Sequence, residues 1–200
     1  MSYSNFSLDK IEDQLGINIQ ECPYILKDVQ PQPVSDRLKD TLEYNLPLAL
    51  EIGTEKARSE MIIAPILIEV RRTLGSEISL FSGREFNIDY KLGLTGFCDF
   101  LVSRSPSQLI IKAPAVIIVE AKNDNIQSGL GQCIAQMYAA QIFNQSHNAS
   151  INAVYGSVTT GTNWKFLQLV DKVVSVDVNE YFLNDLSLIL GLLRAFITGL

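Results

Sequence analysis

Two short apolar runs in the middle of the chain carry charged residues where a buried strand has little room for them. Residues 96–103 read GFCDFLVS and residues 113–123 read APAVIIVEAKN. Both are rich in Val, Ile, Leu and Phe, and both predict buried strands. Side chains alternate faces along a strand. Phe97, Asp99 and Leu101 therefore share one face of the first strand, and Val116, Ile118, Glu120 and Lys122 share one face of the second. An unpaired carboxylate between large apolar neighbours is costly, so a lysine, a backbone turn or a metal ion must hold it. If the strands pair, Asp99, Glu120 and Lys122 converge. Two hard oxygen donors with an ammonium beside them suit metal-assisted phosphodiester hydrolysis.

The pattern around these runs predicts the remaining elements. Ser7 to Gln14 reads as a short helix capped by Ser7 or Asp9. The three prolines of PYILKDVQPQPVSD mark an extended linker, or a strap packed on the domain. A helix over Arg37 to Leu46 starts at Ser35 or Asp36, and Pro47 breaks or restarts it. A stronger helix begins at the cap Thr54, with Ile62, Ile63, Ile66, Leu67, Val70 and Leu74 at helical spacing. Pro65 inside it predicts a kink near Met61. Glu77 to Phe81 and Arg84 to Tyr90 alternate and predict two strands joined at Ser82-Gly83, which makes a four-strand meander with the Asp99 and Glu120 strands. A helix from about Ile126 to Phe143 follows, with Leu130, Cys133, Ile134 and Met137 on its buried stripe and Gly129, Gly131 and Ala135 allowing close approach to the sheet. Then come a strand over 152–158, a hairpin of Trp164 to Val170 and Val173 to Val178, and a strongly apolar helix over Leu183 to Ile197. That helix packs on the domain or on a second copy of the chain, and a homodimer is the expectation it raises.

Asp99, then Glu120-Ala121-Lys122 twenty-one residues later, then a helix carrying Gln132, resemble the PD-(D/E)XK nuclease superfamily. The resemblance spans roughly residues 50–170. It departs at Cys98, where the name-giving proline would stand. It implies an α/β fold with a restriction-endonuclease-like α-β-β-β-α-β core, a mixed central sheet flanked by helices, and a C-terminal hairpin and helix. The chain is then one domain over 1–200: a helical or extended extension over 1–50, the core over 51–170, and the hairpin end and last helix over 171–200.

The resemblance also implies Mg²⁺ or Mn²⁺ held by Asp99, Glu120, the carbonyl of Ala121 and a helix glutamate, Glu60. Lys122 would place the attacking water or neutralise the transition state, and Gln132 would orient water or backbone phosphate. The substrate implied is nucleic acid, DNA ahead of RNA. Residue by residue, alternatives stay open. Glu60 also reads as a surface acid paired with Lys56, with Glu55 and Glu51 as other candidates for the helix acid, and Gln132 as a polar helix flank. Two further readings stand beside the nuclease. One is a nuclease-like fold that binds nucleic acid or protein without cutting. The other makes Asp99, Glu120 and Lys122 a structural ion pair in an ordinary α/β domain.

Composition narrows the choice only a little. Apolar residues make up 47% of the 200, with no run of eighteen, so no membrane span is expected. The start, MSYSNFSLDKIEDQ, lacks the basic-then-apolar order of a secretory signal. Cys22, Cys98 and Cys133 are odd in number and scattered, which suits a reducing cytoplasm and buried thiols. The single histidine, His147, lies in the polar stretch NQSHNAS and reads as solvated. There is no Walker A sequence, no GxGxxG and no CxxC. The net charge of −6 argues against a nonspecific nucleic-acid binder. All of it falls in residues 1–55, with ten acids and four bases, while residues 56–200 hold twelve of each.

Overall fold

In the computed structural model, which describes residues 2–199, helices cover both faces of one open, mixed sheet. Its strands are β1 (Asn18–Cys22), β2 (Ser79–Glu85), β3 (Phe97–Ser103), β4 (Ala115–Ala121), β5 (Val154–Thr159), β6 (Asn163–Val170), β7 (Val173–Asp177) and the short β8 (Tyr181–Phe182). They lie in the order β1-β7-β6-β5-β4-β3-β2, with β8 also on β6. Only the β4–β5 and β1–β7 pairs are parallel. The helices are α1 (Leu8–Leu15), α2 (Asp36–Ile52), α3 (Glu55–Arg58), α4 (Ala64–Leu74), α5 (Gln127–Ser146) and α6 (Leu186–Thr198). On one face α1 and α5 bury Ile11, Leu15, Leu130, Ile134 and Met137 against Leu101, Ile118 and Leu167. On the other, α2, α4 and α6 bury Leu42, Ile66, Val70, Leu193 and Phe196 against Phe100, Val119 and Phe166. The alternation along β3, β4 and β6 thus serves two apolar cores at once, which is why these strands read as nearly continuous apolar runs. No described helix is long and apolar enough to cross a membrane.

The meander contains three strands, not four. β2 runs straight through Gly83, which adopts φ 58°, and ends at Glu85. Beyond it the chain forms a loop with a single bridge, Asp89 to Leu94. Asp89 Oδ1 accepts from the N–H groups of Lys91 and Leu92, which turns the chain there. Phe86, expected in a strand, is buried by packing edge-on against Phe143 of α5. Phe86 N–H still donates to the Gly96 carbonyl at 2.8 Å and Ile88 N–H to the Leu94 carbonyl at 3.0 Å, so the two arms stay loosely paired without forming a further strand.

Two prolines act differently from one another. Pro47 neither ends nor restarts α2, which continues to Ile52 and stops at Gly53 in the left-handed region. The carbonyl that Pro47 cannot serve belongs to the exposed Glu43, where water can take it. Pro65 follows a widened turn, Ser59–Ile63, between α3 and α4, in which Ala64 N–H donates to Ser59 five residues back. Pro65 has no N–H for the carbonyl of Met61, and Asn45 Nδ2 of α2 donates to that oxygen at 3.0 Å. The expected irregularity near Met61 is thus present, and a neighbouring helix completes it.

The first fifty residues are integral to the structure. Tyr3, Phe6, Ile11, Leu15 and Ile17 are core residues, and β1 adds a parallel edge strand on β7 that the sequence pattern did not announce. The proline-rich segment is a strap: Ile25 N–H donates to Asp177 Oδ2 at 3.2 Å and Gln32 N–H to the Ser187 carbonyl at 2.8 Å. The apolar residues of α6 are buried inside the chain itself, so this helix no longer argues for a second copy.

Replacing Asn45 by Ala is expected to lower stability by about 1 kcal/mol, read as a lower urea midpoint at unchanged slope. Adding Pro65→Ala to that variant restores an N–H for Met61 and is expected to recover part of the loss. Equal effects of Asn45→Ala with and without Pro65 would contradict the pairing.

Candidate active site

The register of β3 against β4 pairs Phe100 with Val119 and Leu101 with Ile118. One step further along the same ladder Asp99 stands across from Glu120, at the start of β3 and the end of β4. Their carboxyl groups interact directly, and Asp99 Oδ2 also accepts from the Ala121 N–H at 2.8 Å. Two residues on, Lys122 folds back and its Nζ donates to Glu120 Oε1 at 2.7 Å. From the covering helix, Gln136 Nε2 donates to Glu120 Oε2 at 3.1 Å and to the Phe97 carbonyl at 3.2 Å. Glu120 is 2% exposed and Gln136 fully buried, while Asp99 and Lys122 are half-buried and face the rim. Close approach of α5 depends on Gly129. A Cβ there would stand 2.7 Å from Val158 Cγ1 and 2.9 Å from Lys122 Cε, so any larger residue would push Lys122 from its place.

Burial sets the charges. Removal from water, then the neighbouring Asp99, push the Glu120 carboxyl up to about 7, against the pull of Lys122 and Gln136. Burial also raises Asp99, opposed by the Ala121 N–H, Lys122 and Glu120. Burial alone would depress the Lys122 ammonium, but Glu120, Glu55 and Asp99 together raise it above its ordinary value. Glu120 therefore takes up a proton as the pH falls through neutrality. Burial pushes the thiols of Cys98 and Cys133 up as well, so both stay protonated beside the acids.

The structure brings Asp99, Glu120, Ala121 and Lys122 together and leaves two expected residues aside. Glu60 points outward to Lys56, Nζ to Oε1 3.0 Å, with side chains 60% and 81% exposed. It lies within the widened turn Ser59–Ile63. The helix acid whose charge acts on Lys122 is Glu55, in the first turn of α3. Likewise the glutamine on Glu120 is Gln136, one turn beyond Gln132, which is only half-buried. Both glutamines flank the same stripe, and four residues' spacing hides which one faces the strand. Phe97, on the Asp99 face of β3, is 63% exposed beside the acids. A large apolar side chain in that position is a signal of its own.

Among the described residues no three His, Cys, Asp or Glu side chains stand close enough to hold a metal ion. The donors present are the carboxylates of Asp99 and Glu120. That set fits Mg²⁺, which is commonly bound through one or two carboxylates, with water and substrate phosphate completing its shell. No family model matches the chain, and no curated protein sequence matches it.

An acid whose folded value lies above its unfolded one holds its proton more tightly when folded. Glu120, at about 7 against an ordinary 4.5, therefore adds stability below pH 4.5 that is lost as the pH rises through about 7. In metal-free protein, Glu120→Gln is expected to flatten the fall in melting temperature between about pH 5 and pH 8. An unchanged slope would show that Glu120 titrates normally.

Proposed function

We propose that the chain is a metal-dependent phosphodiesterase of the PD-(D/E)XK type acting on nucleic acid, DNA ahead of RNA. The observation that carries this reading is the meeting of Asp99, Glu120 and Lys122 at the carboxyl end of β4. The element order supports it: a helix, three antiparallel strands, a helix, then a strand parallel to the third match the α-β-β-β-α-β core that the resemblance implies.

Asp99 and Glu120 would hold Mg²⁺ or Mn²⁺. Such an ion, when bound, lowers the pKa of a coordinated water and offsets charge developing on phosphate. Asp99, at the rim, is the acid reached first from solvent. Proton and ion would compete for Glu120, so affinity would rise with pH. Lys122, whose Nζ donates to Glu120 Oε1 at 2.7 Å, would neutralise charge on phosphate or position water beside the acids. Gln136 fixes the other Glu120 oxygen and holds the carboxyl in one orientation. Glu120 first, then Glu55 and Asp99, favour the charged Lys122 ammonium.

A second reading, a nuclease-like fold that binds a nucleic acid or protein without cutting, is favoured by one observation. Both oxygens of Glu120 are already engaged by Lys122 and Gln136, and no third acid completes the set.

Cleavage of single- and double-stranded DNA and RNA with Mg²⁺ or Mn²⁺ separates the two readings. Asp99→Ala and Lys122→Ala are each expected to abolish metal-dependent cleavage while the protein stays folded by circular dichroism. Calorimetry is expected to show metal binding lost in Asp99→Ala. Cleavage retained in both variants would remove the mechanism, and absent metal binding by the parent protein would favour the non-cutting reading.

A further inference from the structure

We propose that the polar cleft beyond the carboxyl ends of β4 and β5 is a nucleotide subsite, with Arg58 taking the phosphate and Asn123 accepting from the sugar or base. The proposal rests on the nuclease reading and adds to it the place of the substrate unit next to the scissile bond.

The cleft has a volume of about 480 Å³, within the usual size of a small-ligand site. It sits where the parallel pair ends: Lys122 N–H donates to the Thr159 carbonyl at 2.8 Å, and Asn123 and Thr160, the next residue on each strand, are its walls. The carboxyl ends of parallel strands are the ordinary place for ligands in α/β sheets. The cleft therefore adjoins Lys122 by one residue along the chain on β4 and one hydrogen bond across to β5.

Its polar groups are incompletely used. Arg58 donates from Nη1 to the Thr160 carbonyl at 3.1 Å, while its Nε is shielded from water and has no partner. Among the described residues its guanidinium makes no ion pair, whereas Arg72 is paired with Glu69 at 3.2 Å. Asn123 Oδ1 is likewise shielded and without a donor. Buried polar atoms without partners are uncommon and costly. Here a donor and an acceptor stand in one cleft, and both side chains gain by turning toward a ligand.

A guanidinium with no ion pair and an unpartnered Nε suits an anion, and phosphate fits its fork. The orphan acceptor calls for an O–H or N–H. Two acids, Asp124 and Glu180, also line the cleft, and both are exposed. Glu180 Oε2 accepts from Asn163 Nδ2 at 3.3 Å. They disfavour a dense polyanion and accept from amino and hydroxyl donors. One phosphate joined to a donor-bearing sugar and base satisfies every one of these groups.

The test is fluorescence anisotropy with a labelled single-stranded DNA of about eight nucleotides, without divalent metal, competed with a deoxynucleoside monophosphate and with inorganic phosphate. Arg58→Gln, which keeps a donor for Thr160 and removes the charge, is expected to weaken binding about tenfold. Arg71→Gln removes the same charge from α4 and is expected to change it less than about twofold. The monophosphate should compete better than inorganic phosphate. Should Arg58→Gln misfold, Gln127→Trp fills the cleft from the exposed start of α5 and is expected to block binding. Equal effects of Arg58→Gln and Arg71→Gln, unimpaired binding by Gln127→Trp, or no competition by the monophosphate would each overturn the subsite. Cleavage by the parent protein with KM unchanged in Arg58→Gln sinks the subsite and leaves the nuclease. Arg58-dependent binding with no cleavage under Mg²⁺ or Mn²⁺ sinks the nuclease and leaves the subsite.

Discussion

The structure turns on a carboxylate placed where a carboxylate is expensive. Glu120 lies inside a strand whose every residue is buried, and it can stay there only because three groups from three directions attend it. Lys122 approaches from its own strand, Gln136 from the helix above, and Asp99 from the strand beside it. The first two lower the cost of the charge and the third raises it. A protein selected for stability alone would place a valine or isoleucine at 120, since replacing a buried ionic cluster by apolar residues is often neutral or stabilising. Retaining two acids that repel one another is a cost that a catalytic or ligand-binding role would account for.

Much of the arrangement was legible in the sequence because strand alternation is rigid. With a side-chain period of two, Glu120 and Lys122 must leave the same face, and an antiparallel partner must bring Asp99 to one end of it. The helices were legible for the same reason, from caps at Ser35 and Thr54 and from apolar spacing. What could not be read depended on rotation about helix axes. Glu60 and Glu55 are little more than one turn apart, and spacing alone does not tell which of them acts on Lys122. Gln132 and Gln136 present the same ambiguity on α5. The edge strand β1 was hidden because NIQEC carries little apolar character and pairs along one edge only. The alternation of 84–90 was only partly informative: Phe86 is buried and bonds across to Gly96, but the pairing is too irregular beyond Glu85 to make a further strand.

The acidic first fifty-five residues acquire a structural meaning without acquiring a chemical one. They supply an edge strand, two helices and a strap, and their apolar residues enter both cores. Their acids lie outward, as at Glu12, Asp40, Glu43 and Glu51. The negative charge of the chain is therefore spread over both covering layers and one sheet edge, while the candidate site, apart from Glu55, belongs to the neutral remainder. Net charge is a poor guide to the local field when one segment contributes nearly all of it.

The position of the acids follows from the mixed pairing of the sheet. β4 is antiparallel to β3 and parallel to β5. Its carboxyl end therefore meets the beginning of β3 on one side and the end of β5 on the other. The polypeptide must leave the sheet here through two loops, 122–126 and 160–162, and both α3 and α5 begin close by. Two helix starts bring positive ends of backbone dipoles to a place where the Asn123 Oδ1 acceptor is left without a partner. Strand ends supply acids, helix starts supply partly positive N–H groups, and the loops supply a cleft. A single reversal of strand direction between neighbours is sufficient to collect all three, which explains why a short and degenerate set of residues can mark the site.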